Sequence, residues 1–215
     1  MASRRQPGYI VVEGPIGVGK TTLARRLAHA FQSDLLLEQA EDNPFLPRFY
    51  REPNNAAFQT QLFFLFQRAQ QIQSLRQGDL FQPAQVVDFL IDKDRLFASL
   101  TLNTDELDLY QQVYDKMILD APQPDLVIYL QAPVEVLLHR IRTRAIEYEQ
   151  LIDENYLQRV AEAYVDFFYH YDRSPLLIVN TAAINLAEGE ADFNLLLERV
   201  REMPNGRQFF NPGAI

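Results

Sequence analysis

The chain has 215 residues, 47% of them hydrophobic and 23% charged, and its 29 acidic and 20 basic side chains leave a net charge of −9. This is the composition of an ordinary globular protein long enough to bury a core, and its acidity argues against a broad electrostatic grip on DNA or RNA. The lack of cysteine excludes disulfides and thiolate-bound metals; no apolar run reaches the ~18 residues of a membrane span, and the charged start Met1-Ala2-Ser3-Arg4-Arg5 is followed by no signal core, so the cytoplasm is the expected address.

Tyr9-Ile10-Val11-Val12 is an apolar, β-branched run that reads as a buried strand over 9–13. Gly14-Pro15-Ile16-Gly17-Val18-Gly19-Lys20-Thr21 follows, and it fills every fixed position of the phosphate-loop pattern G-x-x-x-x-G-K-S/T. Thr22 to Phe31 then carries apolar residues at helical spacing, so strand, glycine loop and helix stand in the required order. Such a loop turns its N–H groups inward onto a phosphate chain, and the helix N-terminus adds a favourable dipole. On this reading Gly14, Pro15, Ile16, Gly17, Val18, Gly19, Lys20, Thr21 and Thr22 hold ATP. Lys20 reaches the β- and γ-phosphates, and the Thr21 hydroxyl ligates Mg²⁺.

Further strands are expected at 34–38, 84–88, 125–131 and 176–180, with helices between them, the longest over about 55–77 and 103–120. Short apolar strands alternating with helices specify an α/β fold, a five-stranded parallel sheet with helices on both faces. Ligands of such sheets sit at the carboxyl ends of the strands, which points Glu13, Glu38, Asp88 and Gln131 at the crevice. Glu38 is either a solvated strand-end carboxylate or the group that takes a proton from a hydroxyl nucleophile. Gln61 and Arg68 lie two helical turns apart and share a face. They form either a solvated stripe or a pair that reads a nucleobase, an amide pairing with the base edge and an arginine with O6 and N7 of a purine. Arg140, Arg142 and Arg144 gather three guanidinia in five residues, which suits the charge developing on a transferring phosphoryl group. The stretch from Pro204 reads as an irregular tail over about 204–215, and the chain as one domain.

The glycine loop with Thr22-Leu23, then Glu38, then Asn43-Pro44-Phe45-Leu46-Pro47-Arg48-Phe49-Tyr50, the run from Ala57 to Arg68, the run from Leu96 to Leu102 and the late run from Arg140 to Gln150 together resemble the deoxynucleoside kinase family. The likeness is greatest to its bacterial deoxyguanosine and deoxyadenosine kinase branch, and it runs from about Tyr9 to Asn180. It implies a P-loop kinase fold with an arginine-rich lid over about 140–152. It also implies transfer of the ATP γ-phosphoryl group, with Mg²⁺, to the 5′-hydroxyl of a deoxynucleoside, purine favoured, in nucleotide salvage. Roles follow from the same resemblance. Glu38 is the general base, Tyr50 and Glu149 hold the sugar 3′-hydroxyl, and Gln61 pairs with the base. Arg68 lines the base pocket, Phe97 packs on the base, Asp88 serves the metal with Thr21, and Arg140, Arg142 and Arg144 belong to the lid. The family is usually homodimeric through helices on one side of the sheet. Leu62-Phe63-Phe64-Leu65-Phe66 is a candidate for that face or for a central core helix.

Two positions depart from the family pattern. Relatives often carry an arginine directly after the carboxylate that ends the third strand, whereas here Phe89 follows Asp88. Lys93 and Arg95 are the candidates to replace it. The lid usually reads Arg-Gly-Arg, and here it reads Arg144-Ala145-Ile146. Two other functions stay open on the sequence. A thymidylate-kinase-like nucleoside monophosphate kinase shares the core, although its loop typically reads Gly-x-Asp-Gly and its phosphorylated acceptor needs cations near Glu38, where only Arg48 and Arg51 are close in sequence. A non-catalytic nucleotide-binding subunit of the same fold is favoured by the missing arginine and opposed by the intact Lys20, Thr21 and Glu38.

Overall fold

A computed structural model of the chain describes residues 8–76, 84–117, 121–184, 186 and 189–211. Strand β1 (Tyr9–Glu13) leads through the glycine loop into helix α1 (Lys20–Phe31) and then β2 (Asp34–Leu36). A 3-10 turn at Ala40–Asp42 precedes α2 (Leu46–Arg51) and the long α3 (Pro53–Arg76). Next come β3 (Gln85–Val87), α4 (Lys93–Thr101), α5 (Thr104–Met117), β4 (Leu126–Gln131) and α6 (Val134–Arg144). After a second 3-10 turn at Glu147–Leu151 the chain forms α7 (Glu154–His170), β5 (Leu176–Asn180), α8 (Glu190–Arg201) and β6 (Arg207–Phe210). The expected helix ends at 77 and 118–120, and the end of the expected tail at 212–215, lie outside the described residues.

The strands form one parallel sheet in the order β2-β3-β1-β4-β5-β6. Val11 sits in register between Val87 of β3 and Val127 of β4. Because side chains alternate along a strand, Ile10, Val12, Ile128 and Leu130 face one side and bury against Leu23 and Leu27 of α1, Leu137 and Ile141 of α6, and Leu196 and Val200 of α8. Val11, Val87, Val127 and Tyr129 face the other and meet Leu96 of α4 with Val160, Tyr164 and Phe168 of α7. Helices cover both faces, which is why the central strands are apolar without alternation. Among the described residues no helix is long and apolar enough to cross a membrane.

The sheet has six strands rather than the five expected. The sixth arises inside the stretch read as an irregular tail, where Arg207 pairs with Leu176 and Phe210 with Val179. Only four residues long and alternately exposed, β6 is an edge strand with a weak apolar signature. Arg207 fixes it by donating to the carbonyls of Phe168, Tyr169 and Tyr171 at the end of α7, the place where a cation complements a helix C-terminus.

Candidate active site

The chain leaves β1 toward β2 and β3 on one side and returns to β4 and β5 on the other, so the sheet order reverses at β1. A crevice opens there at the carboxyl ends of the strands, and the glycine loop lies in it. Gly17 has φ of +81°, and a Cβ there would stand 2.8 Å from the Ile141 side chain and 2.9 Å from the Leu137 carbonyl. Only glycine lets the loop lie this close to α6. Gly19 caps α1 in the left-handed region at φ 104°, with no side-chain cap. The first N–H groups of α1 are thereby left for an anion.

Lys20 folds back on the loop, its Nζ donating to the carbonyls of Gly14 at 2.8 Å and Pro15 at 3.3 Å. Burial, and then the charge of Lys93, lower its pKa. The Thr21 hydroxyl donates to Asp88 Oδ2 at 2.6 Å, while Asp88 Oδ1 accepts the Glu38 N–H at 2.6 Å. Burial pushes the Asp88 carboxyl up against the pull of these two hydrogen bonds. A threonine hydroxyl beside a carboxylate is a hard-oxygen pair, the donor type that Mg²⁺ takes.

A cleft of ≈ 630 Å³ extends from this loop. Of the residues expected in the site, Ile16 through Thr22, Glu38, Tyr50, Gln61, Arg68, Asp88, Phe97, Arg140, Arg144 and Glu149 line it. Gly14 and Pro15, at the start of the loop, are buried and do not line the cleft. Arg142 is exposed and outside the cleft, because at 100° per residue Arg140 and Arg144 share a face of α6 and Arg142 falls on the opposite one. Glu13 and Gln131 also stand at strand ends without lining the cleft. Glu13 is fully buried beneath the loop, and the Gln131 carbonyl accepts the Thr181 N–H.

Glu38 stands where three cations converge. Arg68 donates to its Oε1 through Nε at 2.9 Å and through a second guanidinium nitrogen, and Lys93 Nζ lies 3.1 Å from its Oε2. Burial alone would raise the carboxyl. Arg68, Lys93 and Lys20 outweigh it and hold Glu38 well below the usual carboxylate range. Arg95, the other candidate for the missing cation, is half exposed and pairs with Asp115 at 2.5 Å, away from the cleft. The wall beyond is aromatic and amide. Gln61 is 3% exposed, and its amide has no hydrogen-bond partner among the described residues. Phe97 packs edge-on against Tyr164 with centroids 6.0 Å apart.

At the far end Tyr50 stacks on Tyr148 and meets Tyr156 edge-on. Burial, then Tyr156 and Glu149, raise its phenol well above the ordinary value, so it remains a hydrogen-bond donor. Arg144 grips Glu149, with Nε 3.0 Å from Oε2. Arg140 ties the glycine loop to the end of β5, donating to the Thr181 hydroxyl at 2.9 Å, the Thr181 carbonyl at 2.7 Å and the Val18 carbonyl at 3.3 Å. Sequence reasoning missed Asp94, which is fully buried and paired with Arg68, and the part Glu13 plays below the loop. An Arg–Asp pair 26 residues apart leaves no local pattern to find.

A family model described as deoxynucleoside kinase matches residues 10–204. The chain is 34% identical to the deoxyguanosine kinase of Bacillus subtilis over 200 residues, covering 91% of this chain and 97% of that protein. It is 26% identical to the deoxyadenosine/deoxycytidine kinase of the same organism, covering 93% and 94%. Among solved structures, the deoxyadenosine kinase of M. mycoides with products dCMP and a flexible dCDP bound superimposes with a TM-score of 0.76 at 21% identity, covering 89% of this chain and 98% of that one.

Proposed function

The chain belongs to the deoxynucleoside kinase family, and from that premise we propose that it moves the γ-phosphoryl group of ATP to the 5′-hydroxyl of a purine deoxynucleoside, in nucleotide salvage in the cytoplasm. The observation that carries this reading is the placement of an intact phosphate loop and the Glu38 carboxylate on one cleft, with a base-sized amide and aromatic wall beyond them.

The loop N–H groups and Lys20 take the β- and γ-phosphates of ATP. Thr21 and Asp88 would hold Mg²⁺, which would supply positive charge to screen those phosphates. Tyr50 and Glu149 hold the 3′-hydroxyl, Gln61 pairs with the base edge, and Phe97 packs on its face. Glu38 accepts the 5′-hydroxyl proton as the new O–P bond forms and the bond from the γ-phosphorus to ADP breaks. Residues 140–152 act as the lid. Arg144 leaves Glu149 for the transferring phosphoryl group as the lid closes, and Arg140 keeps the loop in place.

The similarity to a deoxyguanosine kinase supports purine preference. A monophosphate acceptor is disfavoured, since Arg48 and Arg51 are exposed and outside the cleft. At saturating ATP, kcat/KM for deoxyguanosine or deoxyadenosine exceeds that for thymidine by about tenfold or more, the scale of a well-made base contact. Thymidine or its monophosphate as the best acceptor would overturn the assignment.

The helices α3 and α5 support a homodimer. Phe66 and Leu109 are each 50% exposed, and α3 is apolar around its circumference over Leu62 to Phe66. We place a second copy across them. Sedimentation then gives twice the 24.9 kDa chain mass, and a single-chain mass at micromolar concentration refutes the dimer.

A further inference from the structure

Lys93 is 2% exposed at the start of α4, between two carboxylates. Its Nζ lies 3.1 Å from Glu38 Oε2 and 3.4 Å from Glu13 Oε2. Glu13 is saturated by groups from three further elements. Its Oε1 accepts the Gly14 N–H at 2.8 Å and the Tyr164 hydroxyl at 3.0 Å, and its Oε2 accepts the Leu90 N–H at 2.7 Å. These contacts fix Glu13 to the glycine loop, the turn after β3 and helix α7 together. Lys93 therefore runs from an immobile carboxylate to the one that faces the substrate.

Arg68 is placed differently. It shares its guanidinium between Glu38 Oε1 and Asp94 Oδ1, and Asp94 Oδ2 is buried with no hydrogen-bond partner. Arg68 therefore stays paired with Asp94, which keeps one oxygen without a partner, when its Glu38 contacts are lost. Lys93 meets no oxygen of that kind, since its other partner, Glu13 Oε2, already takes the Leu90 N–H.

We infer that Lys93, anchored by Glu13, is the fixed positioning residue of the Glu38 carboxylate, and that Arg68 is the cation that gives way when a substrate hydroxyl reaches Oε1. The inference rests on the reading of Glu38 as the base. It assigns Lys93 a task that the residue after Asp88 cannot perform here, because that residue is the buried, apolar Phe89. Among the described residues, the charged and titratable groups facing Glu38 are Lys20 from α1, Tyr50 from α2, Arg68 from α3, Asp88 after β3, Lys93 from α4 and Tyr164 from α7, with Glu13 reached through Lys93 and Asp94 through Arg68. Loss of one cation from this set moves the carboxyl upward.

The test compares Lys93→Met and Lys93→Arg in the wild-type and Glu38→Gln backgrounds, at saturating Mg²⁺-ATP with deoxyguanosine and deoxyadenosine. Lys93→Met lowers kcat by about 100-fold, the scale of a lost charge contact to a reacting group. It leaves the nucleoside KM within about threefold and moves the acid limb of the kcat profile to higher pH. Lys93→Arg recovers at least about a tenth of the wild-type kcat, the mark of a charge rather than a packing role. In the Glu38→Gln background the methionine substitution costs less than about threefold, because residues acting through one group are not additive. Lys93→Gln, which removes the charge and keeps a donor, gives the same signature if the methionine variant does not fold. If Glu38→Gln is inactive while the neutral Lys93 variants keep wild-type kcat and pH profile, the inference falls and the base assignment stands. A fully active Glu38→Gln overturns both.

Discussion

Glu38→Gln lowers kcat by about 10²–10⁴-fold, the usual contribution of a positioned general base, while the KM values for ATP and nucleoside change by less than about threefold. The amide keeps the size of the side chain, and its one oxygen still accepts from Arg68 or Lys93, so substrate binding survives while proton acceptance is lost. Steady-state kinetics on both substrates check this, and a loss confined to KM would remove Glu38 from the chemistry. The same variant has a stability signature. The folded-state pKa of Glu38 is depressed, so its contribution to stability is complete above the ordinary glutamate value and is lost as pH falls through the lower folded value. The stability difference between wild type and Glu38→Gln is therefore full at neutral pH and shrinks only in strong acid. The remaining partners, Asp94 for Arg68 and Glu13 for Lys93, keep the variant from leaving two unpaired buried cations.

Lys20→Met is the second large effect. It lowers kcat/KM for ATP by about 10²–10³-fold, as expected when a preorganised charge is removed from a developing phosphate charge. Folding is expected to survive, because the Lys20 contacts are to two loop carbonyls and the loop is otherwise held by Glu13 and Arg140. Turnover measured beside titration with a fluorescent ATP analogue separates binding from catalysis. A change of less than about threefold in both would exclude the loop from phosphate binding.

Much of the phosphate side was legible in the chain because its logic is local. The glycine loop needs only strand, turn and helix in order, and those elements are neighbours in sequence. Strands β3, β1, β4 and β5 declare themselves as apolar runs because both faces are covered, and the half-exposed edge strand β2 is marked by Leu35 and Leu36. Strand β6 did not, since a four-residue edge strand with one solvent face carries half the signal. The arginine cluster was read by proximity, whereas helical rotation separates Arg142 from Arg140 and Arg144. The charges beneath the cleft were the hardest to see. Glu13 reads only as a strand-end residue facing the crevice, Lys93 only as one of two candidates for the missing cation and Asp94 not at all, and the meeting of β1, α3 and α4 reveals that each is buried against an opposite charge.

The measurement that bears most directly on the account follows the label from γ-labelled ATP with deoxyguanosine as acceptor, in the wild-type protein and in Glu38→Gln. The account requires the label to appear on the 5′-oxygen of the deoxynucleotide in step with ADP, and to fall by at least about 100-fold in the variant. Label released only as free phosphate, or transferred to deoxyguanosine equally well without the Glu38 carboxylate, would contradict it.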